Sequence, residues 1–121
     1  MDDMTTTEPS IFSRIVAREI PADVVFESDA VIAFRDIAPQ APVHVLVVPK
    51  TEEYRDVTEL AANDPALLAE LVATAQRIAS DLADGHFRLV FNTGERAGQT
   101  VFHVHAHVLA GGLEEASLGG A

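Results

Sequence analysis

Only one stretch of this 121-residue chain is long and periodic enough to be a helix that covers a sheet, and this limits the fold more than any other feature. Between about Asp64 and Ala83, the residues Leu67, Leu68, Leu71, Val72, Ala75, Ile78, Ala79 and Leu82 form one broad apolar stripe at helical spacing. Asp64 suits the N-cap, Pro65 the first helical position and Gly85 a left-handed stop. Around this segment lie five short strand candidates, Val24–Glu27, Val31–Arg35, Val43–Val48, Arg88–Phe91 and Val101–Leu109. The polar pair Ser28-Asp29 makes the first two a hairpin, and a Gly-containing turn over Asn92–Gly98 joins the last two. A parallel sheet needs a crossover helix for most of its strands, and one long helix cannot supply them. The expected class is therefore α+β, with a five-stranded antiparallel sheet. One short helix fits before the strands: Ser10 can cap it, Ile11, Phe12, Ile15 and Val16 share a face, and Pro21 ends it.

The expected organisation is a single domain over residues 10–110, with a flexible segment at 1–9 and a tail at 111–121 rich in Gly, Ala and Glu. Lys and Arg number 8 against 19 Asp and Glu, a formal charge of -11. That balance opposes a nucleic-acid polymer or an anionic membrane as partner, so any phosphate is expected on a small ligand held locally. With no cysteine, disulfides, Fe–S clusters and thiolate zinc sites are excluded. No apolar run approaches the roughly 20 residues of a membrane span. Met1–Pro9 is acidic and polar, unlike a signal peptide, and the expected location is cytoplasmic.

The chemistry concentrates in His103-Val104-His105-Ala106-His107-Val108-Leu109. On a strand, residues two apart point to one face, which would put three imidazoles on one side and Val104, Ala106 and Val108 on the other. Imidazole titrates near neutrality, so an unprotonated ring can attack phosphorus at pH 7 without a metal or other cofactor. Zinc is the competing use of His-x-His pairs. On an ideal strand His103 and His107 lie ~13 Å apart, too far for all three rings to surround one ion, while a two-histidine site stays open.

The segment is similar to the signature of the histidine triad (HIT) superfamily, and the surrounding sequence resembles its histidine triad nucleotide-binding (HINT) branch. The resemblance runs from Ile11-Phe12 and Glu19-Ile20-Pro21-Ala22 through Ala33-Phe34-Arg35-Asp36-Ile37-Ala38-Pro39-Gln40-Ala41-Pro42-Val43-His44 and Val47-Val48-Pro49-Lys50. It continues to Asn92, Gly98-Gln99-Thr100 and the triad, and so covers most of residues 11–109. It implies a sheet extended across a homodimer, a bound purine nucleotide, and hydrolysis of a nucleoside phosphoramidate to AMP or another NMP and an amine through a nucleotidyl-histidine.

Residue by residue, the resemblance implies that His105 is the nucleophile and that His107 contacts the phosphate and assists the departing amine. His103 and His44 would orient the nucleophile and tune its proton. Asn92, Gly98, Gln99 and Thr100 would surround the α-phosphate, and Asp36 would accept from the ribose hydroxyls. Ile11, Phe12, Ile15, Phe34 and Ile37 would wall the base pocket, although all are residue types that also fill cores. Asp36 could equally cap a turn ahead of Pro39, and Glu52, Glu53 and Asp56 read as a solvated acidic segment.

Ser10 and Ser13 stand where many HINT relatives carry paired cysteines, and the tail lacks the Trp-Pro ending common in eukaryotic relatives. A third histidine at position 107, where the phosphorylase and transferase branches have Gln, argues against those branches. Two other functions stay open: hydrolysis of dinucleoside polyphosphates, and nucleotide binding as an interaction module with little catalysis.

Overall fold

The computed structural model describes residues 9–115. The expected loose ends, 1–9 and 111–121, lie largely outside that range. The sheet has five antiparallel strands, β1 (Val24–Glu27), β2 (Val31–Arg35), β3 (Val43–Pro49), β4 (Arg88–Val90) and β5 (Ala106–Ala110), in the spatial order β1-β2-β3-β5-β4. The first two strands have the bounds expected from the sequence. Their turn is closed by Ser28, whose backbone N–H donates to Val31 O at 2.8 Å while its hydroxyl accepts from Val31 N at 3.2 Å.

Helices α1 (Ile11–Val16), α2 (Val57–Asn63) and α3 (Pro65–Ala83) cover the sheet. The caps of α3 follow the sequence: the Asp64 carboxylate accepts from Leu67 N at 3.1 Å, and Asp84 and Gly85 leave at φ 53° and 82°. Val72 and Leu82, expected in the stripe, are instead exposed, at 39% and 37%. The apolar arc is wider than the contact a single helix makes with a sheet, and the buried positions are Leu71, Thr74, Ala75, Ile78 and Ala79.

α2 was not expected. Its signal lay in the acidic segment read as merely solvated: Asp56 accepts from Glu59 N at 2.9 Å, and Glu59 accepts from Arg55 N at 2.9 Å. The two carboxylates thus satisfy donors at the start of the helix, close to a capping box.

Both faces of the sheet are buried, which is why Val45, Leu46, Val47 and Val48 read as a continuous apolar run rather than an alternation. On one face Val31, Ala33, Val45, Val47, Val104, Ala106 and Val108 pack with Leu60, Leu71, Ala75 and Ile78. On the other, Ile32, Phe34, Leu46 and Val48 pack with Phe12 and Ile15 of α1. His107 pairs with Leu46 and His44 with Leu109, so both imidazoles lie on the α1 face.

The expected strand over Val101–Leu109 is shorter: the ladder begins at Ala106, opposite Val47. Residues 101–105 leave it because their would-be partners are otherwise engaged. Pro49, at the end of β3, has no N–H to give, and its carbonyl accepts from the His103 ring at 2.7 Å, while Val104 N donates to Tyr54 O at 3.0 Å. The alternation survives outside the ladder, because Val104 is still buried in the helix-side core.

Candidate active site

Four histidines gather on the α1 face, and their hydrogen bonds divide them into two kinds. His44 and His103 are buried, and both nitrogens of each are engaged. His44 Nδ1 accepts from Gln40 N at 3.0 Å, and its Nε2 lies 2.9 Å from His107 Nδ1 and 3.4 Å from Asp36 Oδ2. His103 Nε2 meets Pro49 O at 2.7 Å, and its Nδ1 meets Ser10 Oγ at 2.6 Å. His105 and His107 are half-buried, with one nitrogen bonded on each: His105 Nδ1 to His103 O at 2.9 Å, and His107 Nδ1 to His44. Their ring centroids are 5.3 Å apart.

These partners fix the protons. A carbonyl oxygen can only accept, so His105 carries its proton on Nδ1 and leaves Nε2 with the lone pair. A backbone N–H can only donate, so His44 Nδ1 is bare and its Nε2–H is directed to His107 Nδ1 and Asp36. His107 then holds its own proton on Nε2. The pair therefore presents one nucleophilic nitrogen and one donor.

Burial holds all four rings below the ordinary imidazole range, so they are neutral near pH 7. His107 is pushed furthest, down to about 4, by burial first and then by the neighbouring His105 and His44. The carboxylate of Asp36 opposes this without reversing it.

A stability consequence follows from linkage. Between pH 6.5 and about 4 the unfolded chain binds a proton at residue 107 that the folded chain refuses, so stability falls as pH drops through that window and is unaffected by this group above it. We expect a loss on the order of 2 kcal/mol from this residue, read as a fall in urea midpoint between pH 7 and pH 4.5. His107→Gln should flatten that part of the slope; an unchanged slope would contradict the assignment.

Asp36, His44 and His107 bring one ligand atom each within 4.8 Å of one another, the group among the described residues that could hold a cation. The three triad histidines do not form it, since both His103 nitrogens point to Ser10 and Pro49. A metal at Asp36, His44 and His107 would have to displace the proton shared by the two rings.

Beside the histidines is an apolar cavity of about 140 Å³. All five residues expected to wall a base pocket, Ile11, Phe12, Ile15, Phe34 and Ile37, line it together with Asp36. Phe12 and Ile15 are also core, while Ile37 is 98% exposed and forms rim rather than wall. Ile20, Pro21, Ala22 and Leu46 line it as well. The first three stood in the resemblance without a role, and Leu46 is placed there only by strand register. Phe12 joins cavity to histidines, its ring 4.9 Å from that of His105. Of the two alternatives for Asp36, the turn contact is present, with Oδ1 accepting from Ala38 N at 2.8 Å, while Oδ2 lies 3.4 Å from His44 Nε2 and the residue lines the cavity.

The loop between β4 and the triad departs from expectation. The buried Gln99 spends both amide hydrogens on backbone carbonyls, Arg55 O at 2.6 Å and Val101 O at 3.1 Å, and its oxygen accepts from Gly94 N at 2.8 Å. Asn92 Nδ2 donates to Ala97 O at 2.7 Å. Gln99 thus braces the loop with its whole amide rather than aiming it at an anion, whereas Asn92 commits one of its two amide hydrogens to the loop. Gly98 turns at φ 94°, a conformation suited to glycine, and Thr100 is exposed. A larger open depression of about 630 Å³, between residues 85–88 and 109–113, involves none of the four histidines.

The HIT domain family matches residues 17–112. The chain is 42% identical over 106 residues to the purine nucleoside phosphoramidase of Escherichia coli K12, an overlap of 86% of this chain and 88% of that protein. It is 42% identical over 106 residues to the adenylylsulfatase HINT1 of Arabidopsis thaliana, covering 85% of this chain and 71% of that one. Among solved structures, a HIT family hydrolase from Clostridium thermocellum superposes with a TM-score of 0.81 at 42% identity, covering 88% of this chain and 93% of that one.

Proposed function

The chain belongs to the HIT domain family, and from that premise we propose that it is a nucleotide hydrolase that cleaves purine nucleoside phosphoramidates to a nucleoside monophosphate and an amine. The single observation behind this reading is the division of protons between His105 and His107. His105 Nε2 attacks the α-phosphorus, forming an N–P bond as the P–N bond to the leaving amine breaks, and His107 Nε2–H gives that amine its proton. Water then attacks phosphorus, gives a proton to His107 and releases the NMP, restoring both rings. The base lies in the apolar cavity against Phe12 and Phe34, and Asp36 at its edge accepts from the ribose hydroxyls. Thr100, through its hydroxyl and its backbone N–H, would meet the phosphate, since the Gln99 side-chain amide and the backbone N–H groups of Gly98 and Gln99 are spent within the loop.

The test compares rates on an AMP-amine conjugate and on diadenosine polyphosphates, with capture of a nucleotidyl adduct on the His105 peptide. Faster turnover of the conjugate and an adduct at His105 are expected; preferential cleavage of the polyphosphate would move the substrate to the alternative class, and binding without turnover would leave an interaction module. The sulfatase name of the Arabidopsis relative makes adenylyl sulfate a worthwhile third substrate.

A homodimer belongs to the same proposal: β4 ends the sheet with one partner, and Val72 and Leu82 lie exposed on α3. Sedimentation at micromolar concentration should give twice the chain mass, and a monomer would remove this element. No helix among the described residues is long and apolar enough to cross a membrane. A cytoplasmic location remains part of the proposal.

A further inference from the structure

The hydroxyl of Ser10 does more than a helix cap requires. Capping needs only an acceptor, and Ser10 Oγ accepts from Ser13 N at 3.0 Å. The other half of the hydroxyl, its proton, goes across 93 positions of sequence to His103 Nδ1 at 2.6 Å. The direction is set by the far side of the ring, where Nε2–H must donate to Pro49 O at 2.7 Å, leaving Nδ1 bare in the neutral form. The backbone N–H of Ser10 is itself held, donating to Glu52 Oε1 at 2.9 Å. His103 is 1% exposed, and its carbonyl receives the His105 Nδ1–H.

We propose that Ser10 is a positioning residue for the hydrolysis: its O–H locks His103 in the neutral Nε2–H form, and through it fixes the carbonyl that orients His105. The same contact clamps α1 to the catalytic segment, seating Phe12 edge-on to both the His103 and His105 rings, at 5.6 and 4.9 Å. Glu52 is the second anchor, from the loop after β3, and faces His103 as the nearest opposing charge. This inference rests on the reading of His105 as nucleophile.

The two halves of the hydroxyl can be separated by substitution. Ser10→Thr keeps acceptor and donor. Ser10→Asp keeps the cap but can only accept, so His103 must donate from both nitrogens and become imidazolium, facing the carboxylates of residues 10 and 52. Ser10→Ala loses both halves.

The experiment measures the imidazole 15N shifts of His103 in the full-length chain, with kcat and KM on an AMP-amine conjugate and the urea midpoint. Ser10→Asp should keep the urea midpoint, show an imidazolium pattern at His103 and lose about tenfold in kcat with KM nearly unchanged. Ser10→Ala should lose about as much kcat and also a lower midpoint, and Ser10→Thr should restore kcat. Parental kcat in Ser10→Asp or Ser10→Ala, or unchanged His103 shifts in both, overturns the proposal. If His105→Ala itself keeps turnover, the reading of the site has failed instead. The 15N shifts still report the Ser10 bond in that case.

Discussion

His105→Ala should abolish turnover of a nucleoside phosphoramidate while leaving purine nucleotide binding within a few-fold of the parent. Removing the nucleophile from a set of residues that act together costs roughly ten-thousand-fold or more, because the remaining groups cannot supply the missing bond-forming step. The structural basis is specific. Burial holds the ring neutral, the His103 carbonyl takes the Nδ1 proton, and the attacking lone pair is confined to Nε2. Nucleotide binding should largely survive because His105 is not among the cavity's lining residues, and of those only Phe12 touches its ring, while Phe12 is also held by Phe34. Turnover is followed by release of the amine and binding by equilibrium titration with AMP. Turnover at the parental rate would remove His105 from the mechanism. His107→Ala should be milder, about a hundred- to ten-thousand-fold, and less harmful with a leaving group that needs no proton.

Phe12→Ala should damage both stability and recognition, and comparison with Leu71→Ala separates the two. Phe12 is 5% exposed, sits 5.7 Å from the Phe34 ring centroid and packs in the α1-side core. Truncating such a ring costs about 3–5 kcal/mol. Leu71 is fully buried on the other side of the sheet, and its truncation should cost about 2–5 kcal/mol. Urea midpoints should therefore fall in both. Only Phe12 also lines the cavity and meets the His105 ring. Loss of a stacking face worth about 1.4 kcal/mol raises KM for the nucleotide about tenfold in Phe12→Ala alone. Equal KM changes in the two variants would mean that Phe12 acts as core only.

Proton economy links these residues. With 19 acidic groups against 8 basic ones, the chain has little positive charge to offer a phosphate. The site instead uses neutral rings whose protons are placed by backbone groups: Gln40 N, Pro49 O and His103 O. An imidazolium at 107 would be a stronger acid, but its cost beside His105 and His44 keeps the resting ring neutral. Proton transfer then has to accompany departure of the amine.

The antiparallel α+β class, the hairpin of β1 and β2, and α3 with its Asp64 cap could all be read from the sequence, because each follows from contacts within a few residues. α2 has a local signal of the same kind, Asp56 and Glu59 at capping spacing, within a segment whose charges also suit plain solvation. The histidine alternation likewise announced a one-sided constellation, and the side chains of Val104, Ala106 and Val108 do enter the opposite core.

What the sequence could not determine is what each polar group bonds to. His103, His105 and His107 look equivalent on a strand and are not. The ladder ends at Ala106, a proline carbonyl and a serine hydroxyl take the His103 ring, and a backbone N–H four residues before His44 sets the proton on His107. Gln99, which the family resemblance implied beside a phosphate, is turned into the loop by Arg55 O, 44 positions away. Periodicity and capping are local and short in range, so composition and spacing determined the elements and the face on which the chemistry would lie. Hydrogen-bond partners across 44 to 93 positions exist only once the sheet has brought α1, the end of β3 and the triad segment together. Tertiary structure alone therefore decided which of the four imidazoles retains a free lone pair.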